Sequence, residues 1–301
     1  MELRTVILKA AYSAFPFSLR GDAELEETGP ELEVSCVINF YKRTDLLRNI
    51  LSSLAAQTLD KKSFEVILVE DRGGTDEGRR EAEHFGRKIS VRYFTLEENH
   101  GVMGHSRNYG LGKCRGRIVL FLDDDTVILD RDFLKLLIEE FDSVKTDGIM
   151  PYGSASYCML EDRYGYHDPY FPANKCTAYS MEALRELGGF VSDIIGQEDV
   201  EFFMRFNIAG KKIHRSNSIG YMHTPLLYDN LNKAAAVGAS YARLRSRYPL
   251  PIWLMILANG ARDLPKLVVP GNRRYRMQGM FSLGFVRGIW YSLTGKRTEY
   301  N

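Results

Sequence analysis

Three consecutive carboxylates, Asp123, Asp124 and Asp125, end the apolar run Ile118-Val119-Leu120-Phe121-Leu122. A short continuous apolar run is the pattern of a buried strand in an α/β sheet, and such sheets collect ligands at the carboxyl ends of their strands. Adjacent acids repel one another unless a cation offsets them, and alternate acids at a strand mouth can share one hard divalent ion. Asp125, and next Asp123, are therefore the expected ligands of Mg²⁺ or Mn²⁺. An isolated Asp-Asp-Asp is more often a solvated turn; the strand before it and the motifs around it argue against that here. A second acid pair, Glu198-Asp199 in Gly196-Gln-Glu-Asp199, opens a helical pattern over Val200 to Ala209 with Phe202, Phe203 and Phe206 on one face. Acids at a helix N-terminus are favoured by the macrodipole, so this pair has a purely structural reading as well.

The elements that must position these acids follow from hydrophobic periodicity. Val34 to Phe40 reads as a strand, Asp45 to Gln57 as a helix with Leu46, Leu47, Ile50, Leu51 and Leu54 at helical spacing, and Phe64 to Val69 as a second strand. A charged helix near Asp76 to Phe85, a strand at Ser90 to Phe94 and a helix from about Gly104 to Cys114 lead into the acid-tipped strand. Alternating strands and helices predict an α/β fold with a doubly wound, mostly parallel sheet and its site along one edge. Residues 1–33 read as an accessory arm, 34–225 as the α/β domain, and 226–301 as a helical, basic and amphipathic extension. Tyr152 to Asn174 is Tyr-rich and broken by Gly153, Gly165, Pro169 and Pro172, the composition of a long loop.

Six segments in order, Val34-Ser-Cys-Val-Ile-Asn-Phe-Tyr-Lys-Arg43, Ser53-Leu-Ala-Ala-Gln-Thr58, Val69-Glu-Asp-Arg-Gly-Gly-Thr-Asp76, Asn99-His-Gly with Arg107-Asn108, Leu122-Asp-Asp-Asp125 and Gly196-Gln-Glu-Asp199, resemble the motifs of family 2 glycosyltransferases with the A-type (GT-A) fold. The resemblance covers about Val34 to Pro225, and its specificity lies in the order of the motifs. It implies an inverting transfer of a sugar from a nucleotide-diphosphate donor, with a UDP-sugar first choice, to a glycan or lipid-linked acceptor, with a divalent metal on the diphosphate. Phe40, Tyr41 and Arg43 then offer aromatic surface and a cation to base and phosphate, although a strand-to-helix turn with an ordinary packing aromatic explains them too. Asp71 can accept a hydrogen bond from a base imide N–H, and the family places a uracil-binding Asp here; a turn acid is the alternative. The chain departs from the common Asp-Asp-Gly-Ser pattern through Arg72 and Gly73-Gly74.

The resemblance also assigns Asn99, Arg107 and Asn108 to the donor pocket, with a salt bridge from Arg107 to the acid cluster as the plain alternative. It places Asp123 and Asp124 against the donor and Asp199 as the general base, with Glu198 positioning the acceptor. His223, in Tyr221-Met-His-Thr-Pro225, matches a position from which related enzymes bring a histidine to the metal, although a lone His is more often structural. His100 and His105 flank Gly101 and Gly104 without ligand spacing to any second pair, and are secondary.

Composition narrows the classes. Hydrophobic residues at 45%, charged residues at 26% and a net charge of +1 over 301 residues exclude a disordered chain and carry no nucleic-acid signature. The charge is unevenly spread: Arg262 to Arg297 holds eight basic residues against the single acid Asp263. Cys36, Cys114, Cys158 and Cys176 form no C-x-x-C pair, and reduced thiols fit a cytoplasmic protein. Residues 252–297 mix Trp253, Met280, Phe281, Phe285 and Trp290 with Arg273, Arg274, Arg276 and Arg287, the combination of an interfacial helix on the inner face of a membrane. Packing on the catalytic domain or a homodimer interface is the alternative. Two other classes compete. Asp123-Asp-Asp-Thr-Val127 fits the nucleophile motif of haloacid-dehalogenase-like phosphatases, but some ninety residues of α/β pattern precede it where that motif opens a domain. A non-catalytic nucleotide-sugar-binding module would be signalled by loss of Asp125 or Asp199, and both are present.

Overall fold

A computed structural model describes residues 3–26, 29–155, 175–223, 231–271 and 273–296. Its strands are β1 Leu32–Phe40, β2 Phe64–Glu70, β3 Val91–Thr95, β4 Gly116–Asp123, β5 Thr126–Val127, β6 Gly148–Ala155, β7 Cys176–Ser180 and β8 Ile213–His223. Its helices are α1 Leu3–Ala14, α2 Thr44–Ala55, α3 Asp76–Gly86, α4 Met103–Leu111, α5 Phe133–Val144, α6 Met181–Glu186, α7 Glu198–Ile208, α8 Leu231–Arg243, α9 Leu250–Ala261 and α10 Arg273–Leu293. The strands form one sheet in the order β3-β2-β1-β4-β7-β6-β8-β5.

The expected parallel core is present. β1 pairs in parallel with β2 and β4, and β2 with β3. Every residue of β2 is buried, as a strand covered on both faces requires. Leu47, Ile50, Leu51 and Leu54 of α2 pack into that core with Phe64, Leu68 and Leu120. The far half of the sheet departs from the doubly wound expectation: β7 runs antiparallel to β4 and β6, and β5 antiparallel to β8. The β5–β8 ladder sets Thr126 opposite His223, and so delivers a residue from far along the chain to the edge of the acid run. The Tyr-rich loop expected at Tyr152 to Asn174 starts inside β6; residues 156–174 lie outside the described residues.

The chain divides into two compact units, residues 20–192 with 198–225, and residues 1–19 with 193–197 and 226–301. The accessory arm expected over residues 1–33 is thus split, its first 19 residues forming part of the second unit. The first unit holds the sheet and α2–α7. Beneath α7 lies an aromatic layer in which Phe121 meets Phe190 edge to face at 5.1 Å and Tyr179 meets Phe202 at 5.0 Å.

The second unit is helical. α8 and α10 pack backbone to backbone, because Gly238, Gly284 and Gly288 leave no side chain between them: a Cβ at Gly288 would run into the Ala235 carbonyl. Phe285 and Ser282 form the buried face of α10, whereas Leu283, Trp290 and Leu293 are exposed. In α9, Ile252 and Trp253 are buried and the Trp253 Nε1–H donates to the Tyr241 carbonyl at 3.2 Å, so packing accounts for that part of the apolar run; Leu254 is half exposed. No helix among the described residues is long and apolar enough to cross a membrane.

Candidate active site

Asp123 closes β4, and Asp124 and Asp125 form the turn into β5. With Thr126 fixed opposite His223, the Asp125 Oδ1 lies 2.8 Å from His223 Nε2, and Asp123 Oδ2 lies 3.6 Å from the same nitrogen. One ligand atom from each of Asp123, Asp125 and His223 lies within 4.8 Å of the others. Two carboxylates and a buried imidazole are a donor set suited to a hard or borderline divalent ion. Burial is the largest influence on each of these groups and disfavours charge, but it is outweighed. Hydrogen bonds to both carboxylates push the His223 ring up to about 9. The same imidazole, with Arg107 for Asp123 and Arg43 for Asp125, holds the two carboxyls below the usual range.

Asp124 behaves differently. It is buried, and burial together with the charges of Asp125 and Asp123 raises its carboxyl to about 7 against the opposing pull of Arg43. Arg43 caps the first turn of α2 and forks across the acid run, with Nη1 2.9 Å from Asp124 and Nη2 2.7 Å from Asp125. Its place follows from β1, whose Asn39 sits opposite Asp123 in the sheet.

The acid run is tied to the second acid pair by one side chain. Arg107, on α4 and almost wholly buried, places Nη2 3.1 Å from Asp123 Oδ1 and Nε 2.6 Å from Glu198 Oε1. Glu198 is buried in the first turn of α7, and burial with the Asp199 charge lifts its carboxyl to about 7 despite Arg107. Arg107 Nη1 and the Tyr179 hydroxyl are buried without a hydrogen-bond partner among the described residues. Most buried polar groups in folded proteins have a partner, so each of these two calls for an explanation. Asp199 is only partly buried, and its Oδ1 accepts from the Val200 N–H at 2.9 Å.

The other expected site residues divide. Tyr41 is partly exposed, with the Arg72 guanidinium and the Lys42 ammonium each 5.1 Å from its ring centroid. Asp71 follows β2, held by the Phe40 carbonyl, which accepts from the Asp71 N–H at 3.0 Å. Asn99 is exposed in the loop before α4 with a positive φ of 55°. Phe40 is buried in the core cluster, so the packing-aromatic reading describes it, because it points into the sheet face under α2. Asn108 is likewise spent elsewhere. Its Nδ2 donates to the Phe190 carbonyl at 2.8 Å and to Ser192 Oγ at 3.0 Å, and its Oδ1 accepts from the Phe190 N–H at 2.9 Å. It clamps the 190–192 segment, and both N–H groups of its amide are used within the protein. His105, partly buried, brings no acid with it to the metal cluster.

Residues 35–165 match the model of glycosyl transferase family 2. Over these residues the chain is similar to the family 2 glycosyltransferases. The poly(ribitol-phosphate) beta-N-acetylglucosaminyltransferase TarS of Staphylococcus aureus is 33% identical over 97 residues, 32% of this chain and 17% of that protein. The uncharacterized glycosyltransferase EpsJ of Bacillus subtilis is 28% identical over 142 residues, 47% of this chain and 39% of that protein. Among solved structures, the mannosyltransferase PcManGT from Pyrobaculum calidifontis in complex with GDP-Man and Mn²⁺ superposes with a TM-score of 0.60 at 15% identity, covering 97% of this chain and 99% of that one. S. aureus TarS 1-349 in complex with UDP-GlcNAc gives 0.55 at 18% identity over 90% and 94%. The likeness to these structures is one of fold: a GT-A sheet flanked by helices with a helical C-terminal region. The chain spans less than half the length of the curated relatives it matches. The glycosyltransferase domain match also sets aside the phosphatase reading of Asp123, since the acid run falls inside a family 2 segment that begins well before it.

Proposed function

We propose that the protein is a metal-dependent, inverting glycosyltransferase that moves a sugar from a nucleotide-diphosphate donor, a UDP-sugar in the first instance, to an acceptor hydroxyl in polysaccharide, glycolipid or glycoconjugate synthesis. The observation that carries the reading is the convergence of Asp123, Asp125 and His223 at a strand mouth within a glycosyltransferase domain. These three residues would hold Mn²⁺ or Mg²⁺, which supplies positive charge to a departing diphosphate. Tyr41 and Asp71 border the base side, Asn99 and Arg107 the sugar-diphosphate side, and Arg43 has a cation free to turn from Asp124 and Asp125 to phosphate. Asp199 takes the acceptor proton as the acceptor oxygen bonds to the anomeric carbon and the bond to the leaving phosphate breaks, which inverts the centre. Glu198, fixed on Arg107, orients the acceptor.

Hydrolysis and transfer of radiolabelled UDP-sugars with and without Mn²⁺ test the proposal. Metal-dependent release of labelled sugar is the expected result; binding of donor with no turnover under any acceptor would leave the non-catalytic module in its place.

The partner surface is proposed on separate grounds. The second unit holds fourteen Lys and Arg against five Asp and Glu, and α10 exposes Leu283, Arg287, Trp290 and Leu293 along one side. Apolar and aromatic side chains flanked by cations suit an anionic membrane surface. The proposal is reversible, peripheral binding to the cytoplasmic leaflet by this face, with a homodimer as the competing occupant.

A further inference from the structure

We infer that His100, held by Asp71, is the side chain that reads the nucleobase, and that Asp71 is the positioning residue behind it; this rests on the nucleotide-sugar reading above. The Asp71 carboxylate already has three donors. Its Oδ1 accepts from the Arg72 N–H at 2.8 Å and from His100 Nδ1 at 3.0 Å, and its Oδ2 accepts from the Gly101 N–H at 2.7 Å. A carboxylate offers about four lone-pair sites, so one is left for a ligand, and the Asp71 side chain is only 18% exposed. The imidazole is the open end of the pair, at 40% exposure.

The pairing fixes the chemistry of that open end. An ionised carboxylate only accepts, so Nδ1 carries the proton, and in the neutral ring Nε2 is then bare and accepts. A bare acceptor pairs with the imide N–H of uracil or thymine, or the lactam N–H of guanine. Against N3 of cytosine or N1 of adenine it meets another acceptor, and a bond to the neighbouring exocyclic amine requires the base to shift in the site. Selection therefore comes from the tautomer that Asp71 imposes.

The backbone is shaped to hold the two loops in this arrangement. Arg72, Gly73 and Gly74 have φ of 57°, 76° and 77°, and Asn99 and Gly101 have φ of 55° and 72°. This explains the departure from Asp-Asp-Gly-Ser. The pair of glycines turns the chain back so that the Gly73 N–H reaches the Leu96 carbonyl at 2.7 Å, and the Arg72 side chain is thrown onto the Tyr41 ring. Tyr41, Arg72, Asp71 and His100 thus form one contiguous set, with an aromatic face at one end and a directional acceptor at the other.

The test is calorimetric titration of the full chain, in Mn²⁺, with UDP, CDP and UDP methylated at N3. The wild type is expected to prefer UDP at least tenfold over both analogues. His100→Ala should bring the UDP and N3-methyl-UDP affinities together by weakening UDP alone, and His100→Gln, whose amide oxygen still accepts, should restore part of the preference. A second readout is the ¹⁵N shift of His100 Nε2, expected at the bare-nitrogen position in the free protein and moved by UDP but not by N3-methyl-UDP. An unchanged preference in His100→Ala with its collapse in Asp71→Asn would assign base reading to Asp71 and overturn the inference. So would a wild type indifferent to N3 methylation. Absence of any nucleotide binding by the wild type would instead strike down the donor reading itself.

Discussion

Two buried glutamates, each held by arginine, stand at opposite ends of the same sheet and differ in how completely they are satisfied. Glu65, near the start of β2, accepts from Ser35 Oγ at 2.8 Å, from the Arg115 N–H at 2.8 Å, from Arg115 Nη2 at 2.9 Å and from Arg92 Nη1 at 3.2 Å. Burial pushes its carboxyl up, yet these bonds outweigh it and hold the group below its ordinary value. Glu198 is as deeply buried, but its one arginine is shared with Asp123, and burial prevails to raise the carboxyl to about 7. Under the proposed function, the second of these networks lies at the reacting end of the sheet. A saturated network is a fastening, whereas among the described residues Glu198 has fewer donors and stands beside a buried guanidinium whose Nη1 has no partner, an arrangement that suits the proposed role in acceptor positioning.

The largest effect expected from breaking that contrast is on turnover. Asp199→Asn should lower transfer by about 10²- to 10⁴-fold, the usual contribution of a general base, with donor affinity within about twofold of wild type by titration. Normal turnover in this variant would remove the base from Asp199. On the fastening side, Glu65→Ala should cost about 2–3 kcal/mol in denaturant unfolding, because Ser35 and the arginines lose their acceptor, while donor affinity per folded molecule stays unchanged. Glu198→Gln should do the opposite, with little loss of stability and a clear loss of transfer.

The two acids should also give opposite slopes of stability with pH in the metal-free protein. Glu65 has a folded value below its ordinary 4.5, so its contribution is complete above 4.5 and is lost as pH falls through the folded value. Glu198 has a folded value raised from 4.5 to about 7, so the folded chain binds its proton more tightly and stability declines as pH rises through that window. Asp124, raised from 3.8 to about 7, adds a decline over the same range. Denaturant midpoints from pH 3 to 8 for wild type, Glu65→Gln, Glu198→Gln and Asp124→Asn separate the three: Glu198→Gln should remove part of the decline, and an unchanged decline in that variant would contradict the Glu198 contribution. The smallest effect concerns the second unit. Sedimentation with anionic liposomes should fall for Trp290→Ser and Arg287→Gln, each cation contributing about 1 kcal/mol near such a surface, and salt-insensitive or equal binding to neutral liposomes would favour a dimer.

The sequence made the near half of this fold legible because each element there satisfies a local rule. The buried strands β1, β2 and β4 are continuous apolar runs, and α2 and α3 carry apolar stripes of helical period. The far half is set by pairings between distant segments. Nothing local announces that β7 runs antiparallel to β4, or that α1 belongs with the C-terminal helices. The site divides in the same way. The Asp-Asp-Asp run at a strand end was readable, and His223 was readable only through the family, since its position depends on the β5–β8 register. Phe40 and Asn108 look alike in sequence whether they face a ligand or the protein; only the packing of α2 and of the 190–192 segment decides. Glu65 did carry a signal, since Phe64-Glu-Val-Ile-Leu-Val-Glu70 sets an acid near each end of an apolar run, and an acid in a strand buried on both faces demands polar or basic partners.

The most direct test of the account is thermal unfolding of wild type and Asp125→Ala with UDP, GDP, TDP and CDP, each with Mn²⁺ and with a chelator. A nucleotide at about 100 times its Kd adds roughly 2.7 kcal/mol of stability, enough to move the transition by several degrees. The wild type should show a shift with UDP that requires Mn²⁺, and Asp125→Ala should show none. No metal-dependent shift with any of the four nucleotides, or an undiminished shift in Asp125→Ala, would contradict the assignment of a metal-assisted donor site to the end of β4.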